Sequence, residues 1–141
     1  MIVLDTDIIS ILDRQSGQPF ESLAARLRES AEDHICVTII SFEEQMRGWL
    51  SHIAASRTPP RQVEGYSRLQ KMLGWYQRQE VLPFDRRASD IFESLRRARL
   101  KVGAMDLKIA SVARAHDALL ITRNTNDFRL IPALRVEDWT R

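Results

Sequence analysis

Residues 1–10, MIVLDTDIIS, run three apolar side chains straight into two carboxylates, Asp5 and Asp7, and then turn apolar again. A stretch this short and this apolar reads as a strand covered on both faces, the habit of parallel sheets packed between helices. An ionised carboxylate at the end of such a strand costs several kcal/mol unless it is hydrogen-bonded, paired or set beside a cation. The stretch therefore predicts an α/β fold and, at one point of its sheet, a polar site.

The rest of the chain repeats the alternation. Ile8, Ile9, Ile11 and Leu12 mark a helical turn, which Gly17 and Pro19 interrupt. Phe20, Leu23, Ala24, Leu27 and Ala31 recur at helical spacing on one face of a second helix. HICVTII (34–40) is a buried strand, after which Ser41 opens a helix with Phe42, Met46, Trp49, Leu50 and Ile53 as its apolar stripe. SRTPP (56–60) breaks that helix, and Pro60 suits the first turn of the next. There Val63, Tyr66, Leu69, Leu73 and Tyr76 share a side, so residues 42–79 form an added helical hairpin, with Tyr66, Trp75 and Tyr76 serving as core or interface.

Further along, VLPF (81–84) is a strand, residues 86–101 and 105–116 are helices, and ALLIT (118–122) is a buried strand. RNTNDF (123–128) is a loop, and LRVEDW (134–139) a last short strand. Strands alternating with helices give a small, mainly parallel sheet flanked by helices, one α/β domain spanning 1–141.

Composition narrows the function. No apolar run approaches the length of a membrane span, and no basic segment precedes the first strand, so a membrane anchor and a signal peptide are not expected. One cysteine, Cys36, forms no internal disulfide and suits a buried, inert core position. His34, His52 and His116 lack any metal-ligand spacing, so a Cys/His metal centre is not expected either. These features predict a cytoplasmic protein. A net charge of +2 does not by itself imply nucleic acid, but residues 86–101 hold six basic side chains against Asp90 and Glu93. That segment reads as a solvated helix face or as part of a phosphate-binding path.

In parallel α/β sheets ligands bind beyond the carboxyl ends of the strands. The first strand ends at Asp5 and Asp7, the second at Ser41, Glu43 and Glu44, and ALLIT at Arg123, Asn124 and Asp127, while Asp106 opens the helix before ALLIT. Each acid also has a purely structural reading. Asp7 caps a helix, Ser41 and Glu44 have the spacing of a capping box, Asp106 favours a helix N-terminus, and Asp127 makes a turn. If the acids meet, carboxylates about 5 Å apart repel by about 3 kcal/mol per pair at an effective dielectric of 20. A cation relieves that repulsion, and an all-oxygen ligand set selects Mg²⁺ or Mn²⁺. The chemistry implied is metal-assisted hydrolysis of a phosphodiester.

Four segments, MIVLDTDIIS, TIISFEEQMRG (38–48), VGAMDLKIASVA (102–113) and LLITRNTNDFRLIPALRVEDW (119–139), resemble in order and spacing the PIN-domain nucleases. They are most similar to the VapC-type toxins of toxin–antitoxin pairs. The resemblance implies that Asp5, Glu44, Asp106 and Asp127 are catalytic and hold one or two Mg²⁺ or Mn²⁺ ions, Glu44 being the acid four residues before Gly48. Asp7, Ser41, Thr122 and Asn124 would support them, and Arg47, Arg123 and Arg129 are candidates for RNA phosphates. It further implies endoribonuclease activity on an RNA such as transfer or ribosomal RNA, a small antitoxin partner, and a homodimer.

Two other readings start from the same residues. A D-x-D phosphatase would use Asp5 as nucleophile and Asp7 as acid/base, but Ile9 stands where it wants a hydroxyl and no later Asp-Asp pair follows. A PIN-like module that binds RNA or protein without cutting it would usually lack some of the acids.

Overall fold

Alternate side chains of the first strand enter different cores. In the computed structural model, which describes residues 1–141, Ile2 and Leu4 pack on one face of the sheet and Val3 on the other. The strands are β1 (Ile2–Leu4), β2 (Ile35–Thr38), β3 (Val81–Leu82), β4 (Leu119–Ile121) and β5 (Arg135–Glu137). The helices are α1 (Thr6–Arg14), α2 (Gln18–Glu29), α3 (Ile39–Ala55), α4 (Pro59–Gln77), α5 (Arg86–Arg97), α6 (Ala104–Ala115) and α7 (Thr125–Phe128). Side chains of α1, α2 and α4 cover the face of Ile2, Leu4, Val37 and Ile121, whereas α5 and α6 cover the face of Val3, Cys36 and Leu120. The expected α/β layering is present.

All four strand pairings are parallel, in the order β3-β2-β1-β4-β5. Ile2 stands opposite both Ile35 and Leu119, and Val3 opposite Cys36 and Leu120, so β1 is the central strand. The chain moves outward from β1 to β2 and β3, then crosses back to lay β4 on the other side of β1. Where the order reverses, the connections leaving β1 and β4 diverge to opposite faces and open a crevice at the carboxyl ends of the strands. Residues 5, 38 and 122 follow or end the strands at that crevice.

Several predicted boundaries move. The strand read over 34–40 ends at Thr38, whose hydroxyl caps α3 by accepting from Ser41 N at 3.1 Å. Ile39 and Ile40 therefore open the helix, and Ser41 lies inside it. The capping box read from Ser41 and Glu44 is thus not formed. The helix read over 86–101 ends at Arg97, with Arg99 in the left-handed region at φ 52°. RNTNDF is not wholly loop, because Thr125–Phe128 makes one helical turn whose Phe128 is buried.

The hairpin of α3 and α4 is present, but its apolar stripe is only partly covered. Tyr76 is buried and donates from its hydroxyl to Gln45 Oε1 at 2.6 Å, whereas Leu50, Val63, Tyr66 and Leu73 are exposed. At Gly65 the two helices lie close together, since a Cβ there would lie 2.5 Å from Ile53 Cγ1. Gly65→Ala is expected to destabilise the protein by about 1–3 kcal/mol through overpacking. The check is a lowered urea midpoint at unchanged denaturant slope.

Candidate active site

The site is built outward from Asp5. Its backbone N–H donates to Ile121 O at 2.9 Å, extending the β1–β4 ladder by one residue. Its side chain then caps α1, Oδ1 accepting from Thr6 N at 2.8 Å, so the cap is Asp5 rather than Asp7 as the sequence suggested. Oδ2 accepts from the Thr122 hydroxyl at 2.7 Å, and the same hydroxyl takes the N–H of Asn124 at 3.0 Å. Asp5 is 5% exposed. Burial, and next the Asp7 carboxylate, push it up to about 7.

Thr6 connects this corner to α3. Its hydroxyl lies 2.9 Å from Ser41 Oγ and 2.9 Å from Glu44 Oε1. A hydroxyl has one proton and a carboxylate can only accept, so Thr6 donates to Glu44 and takes the Ser41 proton in return. The adjacent Glu43 faces away and pairs with Arg47 at 2.6 Å one turn along, which leaves Glu44 as the acid of this helix in the site.

Asp7 and Asp106 complete the rim. Asp7 Oδ2 accepts from Arg123 N at 3.0 Å, while its Oδ1 is buried without a partner. Asp106 lies in the first turn of α6, where burial and the charges of Glu44, Asp127 and Asp7 hold its pKa above the ordinary range. Asn124 bridges two acids, its Nδ2 lying 3.1 Å from Asp127 Oδ2 and 3.5 Å from Asp106 Oδ2.

Asp5, Thr6, Asp7, Ser10, Glu44, Asp106 and Asn124 line an open cleft of about 340 Å³ with no apolar side chain in its wall. Of the acids singled out in the sequence, Asp5, Asp7, Glu44 and Asp106 meet there. Asp127 does not line the cleft and reaches it through Asn124, and Ser41 and Thr122 stand behind Thr6 and Asp5. Arg123 and Arg129 are exposed beside this edge, and Arg47 is exposed but engaged by Glu43.

The model of the PIN domain matches residues 2–134 of this sequence. The chain belongs to the PIN-domain family. Among PIN relatives, the tRNA(fMet)-specific endonuclease VapC of Salmonella typhimurium is 29% identical over 109 residues, covering 74% of this chain and 75% of the relative. The solved structure of VapBC2 from Rickettsia felis, bound to a promoter DNA fragment, superposes with a TM-score of 0.73 at 27% identity, covering 99% of each chain. VapBC-1 from nontypeable Haemophilus influenzae shares the fold over 100% of both chains, with a TM-score of 0.75 at 24% identity. The resemblance to VapC-type PIN proteins read from the four motifs therefore holds along the whole chain.

Two lining residues of this PIN cleft escaped the sequence reading. Ser10, whose hydroxyl donates to Thr6 O at 3.1 Å, carries no local signal. Thr6 does carry one, since a hydroxyl between two acids at a strand end is placed to hydrogen-bond a third.

The repulsion stored in the rim has a sign that can be measured. Between its unfolded value of 3.8 and about 7, Asp5 keeps its proton in the folded chain and loses it in the unfolded one. The folded state then binds more protons, so metal-free stability falls as pH rises through that window. Asp5→Asn retains a cap of equal rank and is expected to flatten that fall. It should raise the melting temperature of EDTA-treated protein at pH 7 by about 5 °C or more. Calorimetry at pH 4–7 is the check.

Proposed function

We propose that this PIN-domain chain is a Mg²⁺- or Mn²⁺-dependent endoribonuclease and the toxin of a toxin–antitoxin pair. The observation that carries the reading is the meeting of Asp5, Asp7, Glu44 and Asp106 around one open cleft at the reversal of strand order. The donor set fits a hard divalent ion: every ligand is oxygen, the acids carry uncompensated repulsion, and a buried Asp7 oxygen has no partner. Asp5, Glu44 and Asp106 would hold one or two ions, with Asp127 contributing through Asn124. Bound there, the ion would neutralise charge at a scissile phosphate and lower the pKa of water.

The protein's own groups set the geometry. Thr122 and the N–H of Thr6 fix both oxygens of Asp5, and the Thr6 hydroxyl fixes Glu44. An acidic cleft repels RNA, so flanking cations are needed to bring a phosphate in. Arg123 and Arg129 supply them, Arg47 being held by Glu43, and the guanidinium fork suits a phosphate oxygen pair. The substrate class is RNA, a transfer or ribosomal RNA in the cell, and the reading places the protein in the cytoplasm.

The same reading brings a small antitoxin and a second copy of the chain as partners. Two apolar surfaces are free to receive them. One is a groove of Leu4, Leu12, Phe20, Leu27, Ile35 and Trp75, and the other is the exposed stripe of Val63, Tyr66 and Leu73. No helix is long and apolar enough to cross a membrane.

Purified protein is expected to cut single-stranded or loop RNA with Mg²⁺ or Mn²⁺ and to stop with EDTA. Even outer partners of a metal site cost about 10–100-fold when lost. Asp5→Asn and Asp106→Asn should therefore each lose roughly 100-fold or more, and Thr6→Val roughly 10-fold. Sequencing of new RNA ends after induced expression, wild type against Asp5→Asn, checks the cellular target. RNA retained but not cut under saturating Mn²⁺ would instead favour a binding module.

A further inference from the structure

At the other end of the sheet, His34, Cys36 and Glu80 converge although no spacing in the sequence joins them. His34 and Cys36 lie two residues apart, so both side chains project from the same face of the sheet. The ladder holds all three positions: Ile2 N donates to His34 O at 2.8 Å, Val37 N donates to Glu80 O at 3.0 Å, and Cys36 pairs with Val3. An imidazole nitrogen, the thiol sulfur and a carboxylate oxygen all lie within 4.8 Å of one another. The His34 imidazole is paired with the Glu80 carboxylate, and the Cys36 sulfur lies beside the pair. The lack of ligand spacing among the histidines in the sequence does not bear on this cluster, because donors on neighbouring strands need no fixed sequence separation.

We propose that His34, Cys36 and Glu80 form a second cation site, for a thiophilic divalent ion of the Zn²⁺ class, at the edge of the sheet opposite the acidic cleft. One sulfur, one nitrogen and one oxygen match the donors Zn²⁺ prefers, and three protein ligands leave a fourth position for water. The sulfur discriminates against Mg²⁺ and Mn²⁺, which the all-oxygen cleft takes.

Access and charge agree with this. Cys36 is 1% exposed, but the side chains over it, His34 and Glu80, are 59% and 45% exposed, so an ion enters by parting that pair. Burial and the Glu80 carboxylate push the thiol up to about 11, so an ion must displace its proton and binds more tightly as pH rises. An ion that takes the place of the thiol proton neutralises both the sulfur and Glu80. Its consequence for the fold is a staple, since β3 is an edge strand of two residues and the ion joins the residue before it to β2.

The test is titration of the whole protein with Co²⁺, read by the near-ultraviolet sulfur-to-cobalt charge-transfer band, which oxygen ligands in the acidic cleft do not produce. One equivalent of Co²⁺ should raise the band, one of Zn²⁺ should bleach it, and excess Mg²⁺ should leave it. Asp5→Asn should keep the band, and Cys36→Ser should lose it. His34→Ala and Glu80→Gln, both at exposed positions, should weaken Co²⁺ binding roughly tenfold or more with circular dichroism unchanged. In the Asp5→Asn protein, Zn²⁺ should raise the melting temperature, and Glu80→Gln should abolish that rise. No band at saturating Co²⁺ overturns the proposal. So does a band whose affinity survives both His34→Ala and Glu80→Gln, which would mark a lone thiol.

Discussion

The hydrogen bond from the Thr122 hydroxyl to Asp5, spanning 117 positions of sequence, is the contact on which the acidic cleft depends. It closes the gap between the two central strands just past their last backbone pairs. It also leaves Asp5 one oxygen to cap α1, so strand pairing, helix entry and carboxylate orientation are fixed at a single residue. A buried carboxylate with two good donors is held in one orientation and does not carry its desolvation unaided. The Thr6 hydroxyl carries the same order to Glu44, and Asn124 carries it to Asp106 and Asp127.

Much of this was legible in the sequence because parallel sheets place their strand ends together. The apolar runs at 1–4 and 119–121 locate two strands, and the acids that follow them belong to one rim whatever the strand order. Glu44 was singled out through the family resemblance, as the acid four residues before Gly48, and in the structure the neighbouring Glu43 pairs with Arg47 instead. The strand order itself was not legible, since nothing local says that β4 returns to β1 rather than continuing past β3. The boundary at Thr38 was hidden because Ile39 and Ile40 continue the apolar run into a helix, where a capping hydroxyl and not hydrophobicity decides the end. The stripe of α4 was readable as amphipathic, but Val63, Tyr66 and Leu73 have no neighbour within this chain to cover them. The convergence of His34, Cys36 and Glu80 was invisible for the same reason as the strand order.

The two ends of the sheet carry opposite chemistry. At the carboxyl ends stand carboxylates, open to solvent and crowded with like charge. At the amino ends the sulfur lies buried beneath an imidazole–carboxylate pair. β2 spans the distance between them in four residues, roughly 13 Å at strand rise, with its side chains locked in both cores. Side chains of unlike hardness are thereby kept apart by the rigid part of the molecule, so neither set intrudes on the other.

The strand order has a consequence for how the protein comes into being. Synthesis runs from the amino end, yet the partner that orients Asp5, Thr122, follows β4, and Asn124 comes after that. A chain still emerging from the ribosome carries Asp5, Asp7 and Glu44 on segments with nothing yet to gather them around one cleft. For a nuclease, this wiring withholds a formed site until β4 and the Asn124 that follows it have been made.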